Sequence, residues 1–215
     1  MTNTQLHRQD VVRRTTRAAR ILLSTGTEIT DALIADLCDQ IGMHPRGFRN
    51  LFPTNEALLD TINDDLIEEC ASRLRHGVEQ FHPTALGDEG FIQAATTLAR
   101  AWPLDRSGLI IRASRRLRAL RDVNSGQSAL DGDRRYVGEL TDVLTLLMER
   151  LQREFLWSTA LAVRVILDTY ERSFEAWVLA GHDENDFPDS PYVQRTLPRL
   201  LSEVSNPVLR AEKAR

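Results

Sequence analysis

The chain has 215 residues, of which 42% are hydrophobic and 27% charged, and its formal net charge is −4. This length suits one large domain or two small ones with a buried core, and no apolar run approaches the roughly 20 residues that span a bilayer. A net negative balance excludes wholesale polyanion binding, so any contact with nucleic acid must be confined to a local basic surface.

The N-terminus, MTNTQLHRQDVVRR, has no apolar h-region, so no secretory signal is expected and a cytoplasmic protein is. A first helix is expected over residues 8–24, with Val12, Ala18, Ala19, Leu22 and Leu23 as its inward stripe and Gly26 as its stop. The same segment is basic: Arg8, Arg13, Arg14, Arg17 and Arg20 stand against one acid, Asp10. The Arg13-Arg14-Arg17 cluster reads equally as a solvated helix face or as a phosphate contact. Lys213 is the sole lysine among 27 basic residues, which suggests a GC-rich coding bias and not a function.

Thr30 or Asp31 caps a second helix, in which Ala32, Leu33, Leu37 and Ile41 share one face. Gly42 ends it, supplying the left-handed backbone that a tight turn prefers. Pro45 opens a third helix over 45–51, because the N–H it lacks would be unpaired in a first turn anyway. Phe48, Leu51 and Phe52 should pack inward, leaving His44, Arg46, Arg49 and Asn50 outside. Two short helices joined by a tight turn containing Gly form the helix-turn-helix layout, whose second helix can enter a DNA major groove. Thr54 caps a long fourth helix over 54–80, which carries Leu58, Leu59, Ile62, Leu66, Ile67, Cys70 and Leu74.

Further helices are expected at 89–101, 105–121, 134–153, 157–181 and 189–204. The breaks are Trp102-Pro103, the polar run 122–133 and the stretch from Gly181 to Pro188. No window alternates as a strand would, so the fold class is all-α. Cys38 and Cys70 sit within apolar helical patterns and read as small buried hydrophobes, not as a disulfide or metal site. Asp64, Asp65, Glu68 and Glu69 have helical spacing but lack the E-x-x-H pair of a bundle metal site. A phosphate loop, a G-x-S-x-G element and Cys/His metal spacing are also missing, and His76, His82 and His182 stand alone. No catalytic residue, metal or cofactor is therefore expected.

Several residues between 10 and 62 carry a family pattern: Ala18, Leu22 and Gly26, then Leu37, Cys38, Gly42 and Met43, then Phe48 and Phe52. The segment Phe52-Pro53-Thr54-Asn55-Glu56-Ala57-Leu58-Leu59 completes it as an F-x-[ST]-x-E-x-L-L element opening helix four. In these respects the chain resembles the TetR family of one-component bacterial transcription regulators. The resemblance implies a three-helix DNA-binding head, residues 1–55, on a helical-bundle body for ligand binding and dimerisation, residues 56–215. No flexible linker separates them, because the boundary falls at helix four. Three features depart from the family: Arg49 replaces a Tyr that commonly touches a phosphate, Asn55 stands where Lys is frequent, and the segment from Gly26 to Gly42 is longer.

On this reading the third helix recognises DNA. Arg46 is the candidate for bidentate contact to guanine and Asn50 for pairing with adenine. Arg49 is placed for a base or a phosphate, and Thr30 for presenting a helix N-terminus to a phosphate. Asn55 offers a neutral hydrogen bond to the backbone, and Arg13 and Pro45 complete the DNA-facing set. His44 reads more readily as a surface turn residue than as a DNA contact.

The resemblance further implies a homodimer through the last two helices, binding a two-fold operator in double-stranded DNA and released from it by a small-molecule effector. Leu161, Val165, Tyr170, Phe174, Trp177 and Val178, then Val193, Leu197, Leu200 and Leu201, would form the interface, although core packing also explains such a stripe. Trp102, Tyr136, Phe155 and Trp157 are candidate pocket residues, with Arg112, Arg115 or Arg116 as anion anchors, although aromatics at this spacing are more often core. The expected function is a ligand-responsive repressor that is not an enzyme and does not enter membranes. The alternative is a helical adaptor or binding protein that has lost specific DNA binding.

Overall fold

A computed structural model of the chain describes residues 3–23, 29–102, 104–121 and 123–208. Its helices are α1 (Asn3–Leu23), α2 (Asp31–Ile41), α3 (Pro45–Leu51), α4 (Asn55–Glu79), α5 (Asp88–Ala101), α6 (Arg106–Arg121), α7 (Val123–Arg150), α8 (Thr159–Leu179) and α9 (Leu197–Glu203). Two three-residue strands, β1 (Arg153–Phe155) and β2 (Ser205–Pro207), pair antiparallel with Glu154 opposite Asn206. Among the described residues the architecture is thus all-α with one short ribbon. The chain divides into two compact units, one of residues 1–68 and 105–133, the other of 69–104 and 134–215. Of the three divisions, two fall inside a helix, α4 and α7, and the third between α5 and α6.

The first unit follows its apolar periodicity. Ala19 and Leu23 of α1, Ile34, Leu37 and Cys38 of α2, Phe48 of α3 and Leu58, Leu59 and Ile62 of α4 form one buried cluster, which Phe52 and Ile111 join. Val12, Ala18 and Leu22 pack half-buried against it. The face of α2 is turned from its expected position, with Ile34 and Cys38 buried and Ala32 exposed. The stop expected at Gly26 lies outside the described residues.

Helix α6 joins this unit through charge. Arg115 donates to Asp60 from Nη2 at 2.6 Å and from Nε at 3.2 Å, and Arg118 pairs with Glu56 at 3.3 Å. Asp105 caps α6, accepting from the Gly108 N–H and the Ser107 hydroxyl, both at 2.7 Å, and pairing with Arg20. Burial alone would raise the Asp105 carboxyl pKa, but the Ser107 and Gly108 hydrogen bonds and Arg20 together hold it below the ordinary value. Two acids of α4, Glu56 and Asp60, are thus paired within the unit.

Residues 123–133 of the polar run expected as a break belong to α7, and Asp122 lies outside the described residues. Gly132 lies within that stretch. A Cβ there would lie 3.1 Å from Arg115 Nη1 and 3.2 Å from Asn63 Nδ2, so this glycine permits close packing and does not end a helix.

The second unit is centred on aromatic rings. Trp102 stacks on Tyr170 with centroids 4.2 Å apart, and Phe187 stands edge-on to Tyr170 and Phe174 at 5.4 and 5.1 Å. Burial pushes the Tyr170 hydroxyl pKa well above its ordinary value.

The single helix expected over 189–204 is replaced by three pieces. A 3-10 helix runs Glu184–Asp189, a π-helical turn runs Tyr192–Thr196, and only then does α9 begin. Pro198 accounts for the middle piece: it has no N–H, and its ring excludes regular packing against the carbonyl four residues earlier, so the Leu197 N–H reaches back to Tyr192 O instead.

Candidate nucleic-acid interface

The head is assembled from local signals. Thr30, in an extended conformation, caps α2 with its Oγ1 accepting from the Leu33 N–H at 3.2 Å. Gly42 has φ 67° and ψ 37°, and the Met43 N–H bonds to Cys38 O at 2.8 Å while the Gly42 N–H bonds to Asp39 O at 3.3 Å. That pairing is the Schellman termination, and it turns the chain directly into α3. His44 caps α3, its Nδ1 accepting from the Arg46 N–H at 3.1 Å, and Pro45 occupies the first helical position. Thr54 repeats the capping device on α4, accepting from the Ala57 N–H at 3.1 Å.

Helix α3 has one buried face and one solvated face. Phe48 and Phe52 are buried with ring centroids 5.2 Å apart, and Leu51 is half-buried. Pro45, Arg46 and Asn50 are exposed, and Arg46 has no acidic partner among the described residues. Because Arg46 and Asn50 are four apart, their side chains share one face of the helix. A donor fork and an amide on one exposed face suit readout of base edges. Arg13 of α1 and Thr30 are exposed as well, while the Arg8 side chain lies outside the described residues.

Arg49 and Asn55 are placed differently. Arg49 is half-buried beside the Phe48 ring, with its guanidinium carbon 5.9 Å from the centroid. Its Nη1 donates to Asn55 Oδ1 at 3.1 Å, and its Nη2 lies 3.4 Å from Asp31 Oδ1. Asn55 Nδ2 in turn donates to Ile29 O at 3.3 Å. The start of α2, the end of α3 and the start of α4 are therefore held by one polar network. Sequence reasoning assigned Arg49 and Asn55 outward contacts and overlooked Asp31 as a partner of Arg49. The separation of 18 residues between Asp31 and Arg49 leaves no local signal for the pair.

The residues expected to line an effector pocket do not form one group. Trp102 and Tyr136 are buried together, the Trp102 Nε1 donating to the Tyr136 hydroxyl at 3.1 Å, and that hydroxyl lies 3.7 Å from Cys70 Sγ. Arg115 is engaged with Asp60 and Arg112 is half-buried, both in the other unit. Phe155 is half-buried in β1, and Trp157 is 49% exposed. An open groove of about 430 Å³ lies elsewhere in the second unit, lined by Gly77, Gln80, Phe81, His82, Ile92, Gln93, Thr96 and Thr97.

The apolar residues assigned to an interface divide into two sets. Tyr170, Phe174, Val193, Leu197 and Leu201 are consumed by the unit's own core. Leu161 and Leu179 of α8 remain 53% and 79% exposed, as do Leu156 and Trp157 just before it, at 46% and 49%. Val165, Trp177, Val178 and Leu200 are half-buried.

No protein-family model matches the chain. A search of curated proteins likewise finds no match. Solved structures do resemble it. Salmonella enterica GusR aligns with a TM-score of 0.60 at 15% identity, over 91% of this chain and 95% of that one. A structure from Mesorhizobium loti assigned to the TetR family of transcriptional regulators aligns with a TM-score of 0.60 at 13% identity, over 95% and 97%. At such identities the likeness is one of fold. The chain shares the all-α architecture of these structures, with a helix-turn-helix at its N-terminal end and a helical body, as the sequence implied.

Proposed function

We propose that this chain is a DNA-binding transcription regulator that acts as a homodimer in the cytoplasm and represses until a small molecule releases it. The observation that carries the reading is the solvated face of α3. Arg46 and Asn50 stand exposed on a helix whose opposite side, Phe48, is locked in the core. On this reading Arg46 contacts a guanine, Asn50 an adenine, and Thr30 and Arg13 approach the backbone.

One such head reads only a few base pairs, so two must act across a two-fold axis. The exposed Leu161 and Leu179 of α8 leave apolar surface for a partner to cover, which favours dimerisation through this helix. Residues 1–55 serve as the head and 56–215 as the effector-binding and dimerising body. Release is a population shift: the effector must bind the arrangement of heads that fits the operator less tightly than the arrangement that does not.

Footprinting on the DNA upstream of the chain's own gene tests the reading. A protected, two-fold sequence is expected, and Arg46→Ala should weaken binding to it by about 1–3 kcal/mol and relax preference at one base pair of each half-site. An Arg46→Ala protein with unaltered operator preference removes the base-reading role. Absence of protection by the unsubstituted protein on any genomic fragment would instead favour a helical adaptor.

A further inference from the structure

We propose that Asp31 and Asn55 hold Arg49 in reserve, and that binding to DNA proceeds by exchange of the Asp31 carboxylate for a backbone phosphate. This rests on the DNA-binding reading above. It adds a device that lowers affinity for arbitrary sequence.

The two anchors of Arg49 are unequal. Asn55 is half-buried and is itself fixed by its Nδ2 donating to Ile29 O at 3.3 Å, so its Oδ1 stays 3.1 Å from Arg49 Nη1. Asp31 is fully solvated, its side chain 101% exposed, and it meets Arg49 Nη2 at a loose 3.4 Å. An ion pair with a hydrated carboxylate is weak, because the solvent competes for both charges. A phosphate displaces it readily, since duplex DNA gains by releasing condensed counterions when a fixed cation arrives. The guanidinium has five N–H donors, so it can keep Asn55 as a pivot on Nη1 while Nη2 changes partner. Helix α3 need not move for that exchange.

Arg46 provides the contrast on the same helix. It is exposed with no acidic partner among the described residues, and engages DNA without any exchange. Asp31 therefore taxes one phosphate contact equally on every sequence. The base contacts of Arg46 and Asn50 then decide which sequences overcome the tax. That penalty cancels in the ratio of specific to arbitrary affinities, so what it changes is occupancy: arbitrary sequence falls below the working concentration while a site with base contacts stays bound. Asn55 is a positioning residue here, and Asp31 a competitor for the same cation.

The test is fluorescence anisotropy with a labelled duplex of mixed sequence, about 30 base pairs long to accept two half-sites one turn apart, over a series of salt concentrations. Four proteins are compared: the unsubstituted chain, Asp31→Asn, Arg49→Gln and the double variant. Asp31→Asn should tighten binding by up to about fivefold per head, with its salt slope unchanged because the same phosphates are contacted. Arg49→Gln should lower the slope by about 0.9 per head. In the Arg49→Gln background the Asp31→Asn gain should vanish. A gain of equal size without Arg49 would mean that Asp31 acts through the general field, and overturns the proposal. An affinity that is unchanged or reduced in Asp31→Asn, with melting temperature falling alongside, would assign Asp31 to the stability of α2 and overturn it equally. Either result leaves DNA binding intact. If none of the four proteins binds the duplex at low salt, the regulator reading falls and this inference falls with it.

Discussion

Replacing Phe48 by Ala is expected to destabilise the head by about 3–5 kcal/mol and to abolish DNA binding at physiological temperature. Phe48 is 1% exposed and lies against Phe52 with ring centroids 5.2 Å apart, in the cluster formed by Leu37, Cys38, Leu58 and Ile62. It is the one fully buried residue of the seven in α3. A helix this short cannot persist in water on propensity alone. Its conformation is borrowed from the surface on which Phe48 sits, so loss of the ring removes both the apolar area and the reason for the helix. Against total stabilities of about 5–15 kcal/mol for natural domains, that is a large fraction. Urea denaturation followed by circular dichroism measures the loss, and anisotropy on the footprinted sequence measures its consequence. Phe48→Leu, which keeps most of the apolar area, should retain binding. A stability change in Phe48→Ala no larger than a surface substitution, about 0.5 kcal/mol, would mean that α3 is anchored elsewhere and that the exposed face assigned to Arg46 and Asn50 is wrong.

The head was legible in the sequence because its signals are local. Thr30 and Thr54 announce helix starts, Gly42 announces the Schellman turn and Pro45 the next first turn, and each lies within a few residues of what it controls. The bounds of α3 follow from those signals alone. The network of Asp31, Arg49 and Asn55 was not legible, because the partners come from three different helix ends. The same cause hid the pairing of Arg115 with Asp60, which are 55 residues apart. The polar run up to residue 133 was read as a break for a related reason: whether a glycine such as Gly132 ends a helix or allows another side chain to approach depends on the neighbour, here Arg115. The ribbon of β1 and β2 was missed because three residues are too few to display alternation. Pro191 and Pro198 lie inside the span expected as one helix, and each is a signal of irregular backbone that the expectation passed over. Val193, Leu197 and Leu201 do pack inward. The backbone reaches them by a π-turn instead of a continuous helix.

Trp102→Ala should cost the second unit about 3–5 kcal/mol, and the size of that loss separates two roles that the sequence left open. A side chain lining an open effector pocket loses little when truncated, since water already reaches it. Trp102 is 4% exposed, stacked on Tyr170 at an interplanar angle of 12°, and donates from Nε1 to the Tyr136 hydroxyl at 3.1 Å. Truncation therefore removes a buried ring, its stacking and a donor at once, and leaves a void lined by the Tyr170 face. Trp102→Phe keeps a ring on the Tyr170 face and loses the donor and part of the ring area, so its cost should be smaller, about 1–3 kcal/mol. The void offers a further measurement. Dry apolar cavities accept flat apolar molecules of matching size, so indole should raise the melting temperature of Trp102→Ala and leave that of the unsubstituted protein unchanged. A small loss in Trp102→Ala with no response to indole would place Trp102 at an open surface and return it to the pocket role. The expected large loss with rescue makes Trp102 and Tyr136 part of the unit's core, and directs the search for an effector to other surfaces, the groove bounded by Gln80, His82 and Gln93 among them.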